Sequence, residues 1–349
     1  MEENKQGSQE TNPKAATMKI ISLEEHYASP AFMDGGPGNQ LKQMAKSAEA
    51  NPKAAAGFQH FISQLTDVGE GRVAAMDAAG IDVQVLSLTS PGVEQLDPGE
   101  AIPMARDAND WVAEAIKKYP TRFAGFAALP TADPGSAADE LERVVKEHGF
   151  KGAMINGHSR GRYLDDPFFR PILERAEALA VPIYLHPTPP PQSVIETSYK
   201  GSYSPEIAAT LATGGWGWHI ETATHLLRVI LSGTFDRFPK LQFIVGHLGE
   251  AIPFMLPRFE IAFPKQVTQL ERTISGYLRE NVHYTFGGFN WIPAFLDLLM
   301  QVGTDRIMFS TDHPYSSMAD ARAFLDQIPV SPADRARIAH GNAEQLLGL

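Results

Sequence analysis

The 349-residue sequence contains no cysteine. Disulfides, thiolate nucleophiles, iron–sulfur clusters and Cys-ligated zinc are therefore excluded, and any metal must be held by His, Asp and Glu. Positive charge is also scarce: 30 Lys and Arg face 41 Asp and Glu, a formal net charge of −11. That balance argues against a nucleic acid or an anionic membrane as partner and favours a small molecule. No run approaches the roughly 18 apolar residues of a membrane span, and Met1–Thr17 lacks the cationic and apolar regions of a signal peptide, so a cytoplasmic protein is expected. Residues 1–17 carry no aromatic or branched aliphatic side chain and are expected to form a disordered extension. Residues 18–349 then make one large domain, long enough to bury about three quarters of its unfolded surface.

From Met18 onward, short β-branched and aliphatic runs alternate with stretches of helical periodicity. Eight such runs are visible: Lys19–Leu23, Val83–Leu88, Phe123–Leu129, Gly152–Asn156, Pro182–Leu185, Leu241–Gly246, Val282–Phe286 and Arg306–Ser310. Helical stretches such as Ala101–Lys118, Ser136–His148 and His219–Ser232 separate them. Apolar strands alternating with helices are what a parallel sheet with a covered outer face requires, and eight repeats predict an α/β fold of the (β/α)8 TIM-barrel type. A doubly wound open sheet is the alternative, but it usually has about six strands, and no GxGxxG or Walker-type loop follows any of the runs. Two connections, Tyr27–Gln64 and Pro187–Trp218, are rich in Gly, Pro, Ser and aromatic residues. They are read as long substrate loops after strands one and five.

Ionisable residues cluster where these runs end. The first leads into Glu24-Glu25-His26, the fifth into His186-Pro187, the sixth into His247-Leu248-Gly249-Glu250, and the eighth into Thr311-Asp312-His313-Pro314. In a barrel these ends share one rim, so residues nearly three hundred positions apart converge. Strand alternation places Glu24 and His26 on the inward face and Glu25 on the other. Glu24, His26, His186 and Asp312 thus form a mixed nitrogen and oxygen ligand set for one divalent ion, Zn²⁺ or Mn²⁺. His247 is a candidate fifth ligand, but Glu250, three residues on, suits it better to an acid/base or proton-relay role. Arg258 is a candidate clamp for a substrate carboxylate. Trp216, Trp218, Phe286, Phe289 and Trp291 lie near strand ends, where they could sandwich a flat ring. Of the remaining histidines, His158 and His283 could line the pocket and His313 should face away from Asp312. His219 and His225 are read as packing or helix-surface residues.

Glu24-x-His26, His186-Pro187, Gly246-His247-Leu248-Gly249-Glu250 and Ser310-Thr311-Asp312-His313-Pro314 together resemble the amidohydrolase superfamily. Within it the chain resembles the metal-dependent, non-oxidative decarboxylases of hydroxylated benzoic acids. The likeness extends over Leu86–Pro91, Ile155–His158, His219–Ala223 and Phe235–Pro239. The resemblance implies that Glu24, His26, His186 and Asp312 bind the metal, and that His247 with Glu250 contacts the substrate. It places Arg258, Asn156 and Phe286 near that substrate, and implies a homodimer or homotetramer.

The chemistry expected is loss of CO₂ from an ortho-hydroxylated aromatic acid, with Asp312 protonating the ring carbon. A rival reading keeps the site and makes Asp312 the base for metal-activated water, giving a hydrolase of an ester, lactone or amide. A third is a binding protein that retains the metal without turnover.

Overall fold

The computed structural model describes residues 18–49 and 52–349. The proposed N-terminal extension, residues 1–17, lies outside the described residues. Among the described residues, nine strand segments follow one another: β1 Ile21–Tyr27, β2 Val83–Leu88, β3 Phe123–Gly125, β4 Ala127–Ala128, β5 Ala153–Asn156, β6 Ile183–His186, β7 Phe243–Val245, β8 Val282–Thr285 and β9 Ile307–Met308. Every ladder between them is parallel, in the orders β1-β2-β3 and β4 through β9. β3 and β4 are one strand interrupted at Phe126, whose amide still donates to Leu86 O at 2.8 Å. A parallel bridge between Leu23 and Ser310, with Leu23 N donating to Phe309 O at 3.1 Å, joins the last strand to the first. Eight parallel strands thus close on themselves, each followed by helix, as the run-and-helix alternation predicts.

The core has two shells. Ile21, Leu23, Val85, Phe126, Met154, Tyr184, Ile244 and Met308 fill the barrel interior, capped by Ala343 and Leu347 of the C-terminal helix Asn342–Leu347. Residues of opposite parity, such as Leu86, Ile155, Ile183, Leu185, Val245, Tyr284 and Phe286, pack outward against the helices. This two-sided burial is why the strands read as near-continuous apolar runs.

The connection after β1 is not an irregular loop. It folds into helices Pro30–Asp34, Gly38–Ala48 and Pro52–Leu65. Gly and Pro, which suggested a loop, sit mainly at the helix boundaries, while the interiors hold Leu, Lys, Gln, Met and Ala, good helix formers. The connection after β6 likewise carries helix Pro205–Ala212 before helix Gly217–Leu231. No helix among the described residues is long and apolar enough to cross a membrane.

Candidate active site

β1 runs four residues beyond the predicted strand and carries Glu24, Glu25 and His26 within it. Uninterrupted alternation from Ile21 and Leu23, which face the barrel interior, would turn Glu25 inward and Glu24 outward. A bulge prevents this: the register slips between Ser22 and Glu25, and Glu24 adopts φ +65°. One extra residue resets the parity, so Leu23, Glu24 and His26 all face in. Glu25 faces out, where it accepts from Ser22 Oγ (2.5 Å), Gln84 Nε2 (3.0 Å), Thr311 N (2.9 Å) and Thr311 Oγ1 (2.6 Å). Glu25 therefore sutures β1 to the residue beside Asp312, locking together the two ends of the barrel that carry three of the four candidate ligands.

The structure brings Glu24, His26, His186 and Asp312 together, with one ligand atom of each lying within 4.8 Å of all the others. His26 Nε2 is 3.2 Å from Asp312 Oδ1, and His186 Nε2 is 3.7 Å from Glu24 Oε1. Glu24 Oε1 and His26 Nε2 are buried and lack a hydrogen-bond partner. Unsatisfied buried polar atoms are costly, and two aimed at a common point fit a cation that is their natural partner. Burial raises the Glu24 carboxyl above its usual range. Burial and the neighbouring histidines push His186 well below the usual imidazole value, leaving the neutral ring that a metal requires.

The other oxygen of Glu24 is occupied. Oε2 accepts from Tyr184 Oη (2.5 Å), Thr285 Oγ1 (3.0 Å) and Ser310 Oγ (3.4 Å). Tyr184 lies two residues before His186 on the same face of β6, so alternation accounts for its position. The three hydroxyls turn Oε1 alone toward the site. Tyr184→Phe is expected to weaken Mn²⁺ binding about tenfold while the protein stays folded, measured by titration with a metal indicator. Gly246 and Gly287 make room for this carboxylate: a Cβ would stand 2.6 Å from Glu24 Oε1 at Gly246 and 2.5 Å from Oε2 at Gly287.

A second cluster adjoins the first. Glu250 accepts through Oε1 from His247 Nδ1 and through Oε2 from His219 Nδ1, both at 2.6 Å, while His247 Nε2 faces Glu24 Oε1 at 3.6 Å. His219 thus belongs to the site, contrary to the surface-helix reading. Its sequence signal is membership of the His219–Ala223 stretch, which carries part of the resemblance to the decarboxylases. Burial opposes charge on His247, yet the Glu250 and Glu24 carboxylates outweigh it and lift the imidazolium to about 10. Burial would raise Glu250, but His247 and the paired hydrogen bonds hold it below the usual carboxylate range. Glu24, His247, Leu248, Glu250, Ala251 and Asp312 all take positive φ, conformations costing about 1–3 kcal/mol each away from glycine, so strain is concentrated at this rim.

Four other candidates are placed differently from expectation. Phe286 packs against Phe295, Phe309 and Phe324 in the outer core. Thr285 faces Glu24, so the next residue must face out; Gly287 and Gly288, both at positive φ, then swing the chain so that Phe289 takes the place expected of Phe286. Phe289 lies 4.9 Å from the His219 ring and 5.3 Å from that of His247. Asn156 turns to His186 Nδ1 (2.9 Å), which makes it a support for a ligand. His283 lies at the barrel's opposite end, bonded to Arg306. Arg258 is exposed on helix Ile252–Ala262, and the structure does not bring it to the cluster. His158 ties rim loops together through Gly161 N and Pro189 O, and His313 is held neutral, near 3, by burial and the Arg72 charge. Tyr315, three residues past Asp312, stands edge-on to His26 at 5.4 Å and was not foreseen.

Residues 60–349 match the family model described as amidohydrolase. The chain belongs to the amidohydrolase family. This amidohydrolase is 38% identical over 340 residues to the γ-resorcylate decarboxylase of Polaromonas sp. strain JS666, covering 94% of this chain and 98% of the relative. Two solved structures overlay on it with TM-scores of 0.83, each covering 95% of this chain and 97% of the other. One, 38% identical, is the dihydroxybenzoic acid decarboxylase of Polaromonas sp. JS666 with manganese and 2-nitroresorcinol. The other, 36% identical, is the 5-carboxyvanillate decarboxylase of Novosphingobium aromaticivorans with manganese and 4-hydroxy-3-methoxy-5-nitrobenzoic acid.

Proposed function

We propose that this amidohydrolase is a metal-dependent, non-oxidative decarboxylase of an ortho-hydroxylated aromatic acid. The convergence of Glu24, His26, His186 and Asp312, with two orphaned donor atoms at its centre, carries the reading. End-to-end similarity to hydroxybenzoate decarboxylases supports the substrate class, and the manganese in the solved relatives favours Mn²⁺ over Zn²⁺ as the ion.

Glu24 Oε1, His26 Nε2, His186 Nε2 and an Asp312 oxygen would hold the ion. When bound, it supplies a Lewis-acid centre that orients the ortho oxygen and carboxylate of the substrate. Phe289, beside the His219 and His247 rings, and Tyr315, edge-on to His26, would provide flat apolar walls for the substrate ring. His247, held protonated by Glu250, donates a hydrogen bond to the phenolic oxygen, to which negative charge returns as CO₂ leaves. Asp312 delivers its proton to the ring carbon that bears the carboxylate. The ring supplies the electron pair for the new C–H bond. As CO₂ leaves, the electrons of the broken C–C bond return to the ring and restore aromaticity.

CO₂ release from a panel of ortho-hydroxybenzoates, run beside hydrolysis of a panel of lactones, tests the reading. Turnover of the lactones alone would replace it with the hydrolase alternative. Glu250→Gln gives a second handle. Removing the largest charge that keeps His247 protonated lowers its pKa, so the alkaline limb of kcat/KM should move to lower pH, with a loss of about 10²-fold at pH 9. An unshifted limb would show that His247 does not act as a proton donor. Phe254, Ile261 and Met300 are exposed on the neighbouring helices Ile252–Ala262 and Ile292–Val302, and Trp291 is exposed just before the second. An apolar face of this kind supports self-association as a homodimer or homotetramer.

A further inference from the structure

Behind His186 lies a buried carboxylate that the reaction above does not use. Glu94 follows β2, in the turn before helix Pro98–Lys118, and is 1% exposed. Its Oε1 accepts from Asn156 N at 2.7 Å and Asn156 Nδ2 at 3.3 Å; its Oε2 is buried without a partner. Because Nδ2 is committed to Glu94, Asn156 must present Oδ1 to His186, and it does so 2.9 Å from Nδ1. An acceptor there places the imidazole proton on Nδ1 and leaves the Nε2 lone pair facing Glu24 and the site. The arrangement is built: Gly92, at φ +64°, leaves no room for a Cβ against Glu94 Oε2 and Asn156 Nδ2. Ser159 Oγ donates to Glu94 O at 3.2 Å, and Gln95 Nε2 donates to His158 O at 2.5 Å, pinning the β5 rim to the same turn.

We propose that Glu94 is a positioning residue of the metal centre, acting through Asn156 to fix the tautomer of His186 and raise the basicity of its Nε2. The inference rests on the metal-site reading above. Asn156 is the direct hydrogen-bond partner of the ligand and Glu94 orients and polarises it; losing support of a histidine ligand typically costs 10- to 100-fold in metal affinity. Burial lifts the Glu94 carboxyl to about 7, so pH 8 is where its charge is expressed.

The test is Mn²⁺ affinity of the full chain at pH 8, by competition with a chelator, for the wild type, Glu94→Gln and Asn156→Ala. Glu94→Gln keeps shape and removes charge; Asn156→Ala keeps Glu94 and removes the link. Each is expected to bind about tenfold or more weakly, with the substrate KM unchanged at saturating Mn²⁺. The double variant Glu94→Gln/Asn156→Asp moves the charge onto the atom that faces Nδ1, and should recover most of the loss, which a residue that merely fills space would not do. Wild-type affinity in either single variant overturns the proposal. Failure of the wild type itself to bind Mn²⁺ overturns the metal-site reading beneath it instead.

Discussion

Replacing Asp312 by asparagine is expected to reduce CO₂ release by about 10³- to 10⁴-fold or more, while the protein still copurifies with part of its metal. The two halves of this expectation come from the two oxygens of one side chain. Oδ1 lies 3.2 Å from His26 Nε2, in the ligand cluster. Oδ2 is turned toward Gly288, where a Cβ would stand 3.3 Å from it. Asparagine matches the volume and keeps a carbonyl oxygen for the ion, so Glu24, His26 and His186 retain their partner. It carries no acidic proton, and an aryl carbon cannot shed CO₂ without being protonated. His247 does not substitute, because its Nε2 faces Glu24 Oε1 and its proton serves the phenolic oxygen. The measurement is substrate loss at saturating Mn²⁺ with metal content by elemental analysis. Full turnover in Asp312→Asn would reject the proton-delivery role; complete loss of metal would show that Asp312 acts chiefly as a ligand.

Much of the barrel was legible because burial on both faces writes each strand as an apolar run. Seven of the eight runs coincide with strands to within two residues at each end. β1 was misjudged because its end is polar: Glu24, Glu25 and His26 look like a loop, yet they hold strand geometry through ladder pairs to β2 and the sutures of Glu25. Choosing Glu24 over Glu25 gave the right face for an incomplete reason, since alternation counted from Leu23 gives the opposite answer and only the bulge reverses it. Phe286 shows the reverse: alternation carried one residue past Thr285 would have sent it outward. Glu94 and His219 were invisible to local pattern because each gains its role from a partner outside its own segment, Asn156 62 residues away and Glu250 31 residues away. Local periodicity reports which face a residue occupies and nothing of what stands opposite.

Stripping the metal with a chelator is expected to abolish turnover and to lower the melting temperature by several degrees, both restored by Mn²⁺. A ligand that binds only the folded state stabilises it by about 2.7 kcal/mol at a hundredfold excess over Kd. The dependence on pH follows from Glu24. Burial raises its folded-state pKa above the unfolded value, so without metal the folded chain holds this proton to higher pH than the unfolded chain does. The stability of that neutral form is fully present at low pH and is lost as pH rises through the raised pKa. With metal bound, the carboxylate charge is met by the cation, and this loss disappears. The gap between the holoprotein and apoprotein melting temperatures should therefore widen as pH rises, and metal uptake below that pKa should release protons. Glu25, pushed up to about 8 by burial, has the same sign but is not a ligand, so its contribution is common to both forms and cancels in the difference. Calorimetric melts of the two forms at pH 6 and pH 9 measure the gap. A gap that is constant with pH would mean that Glu24 does not give up a proton to the ion, and turnover that survives chelation would remove the ion from the reaction altogether.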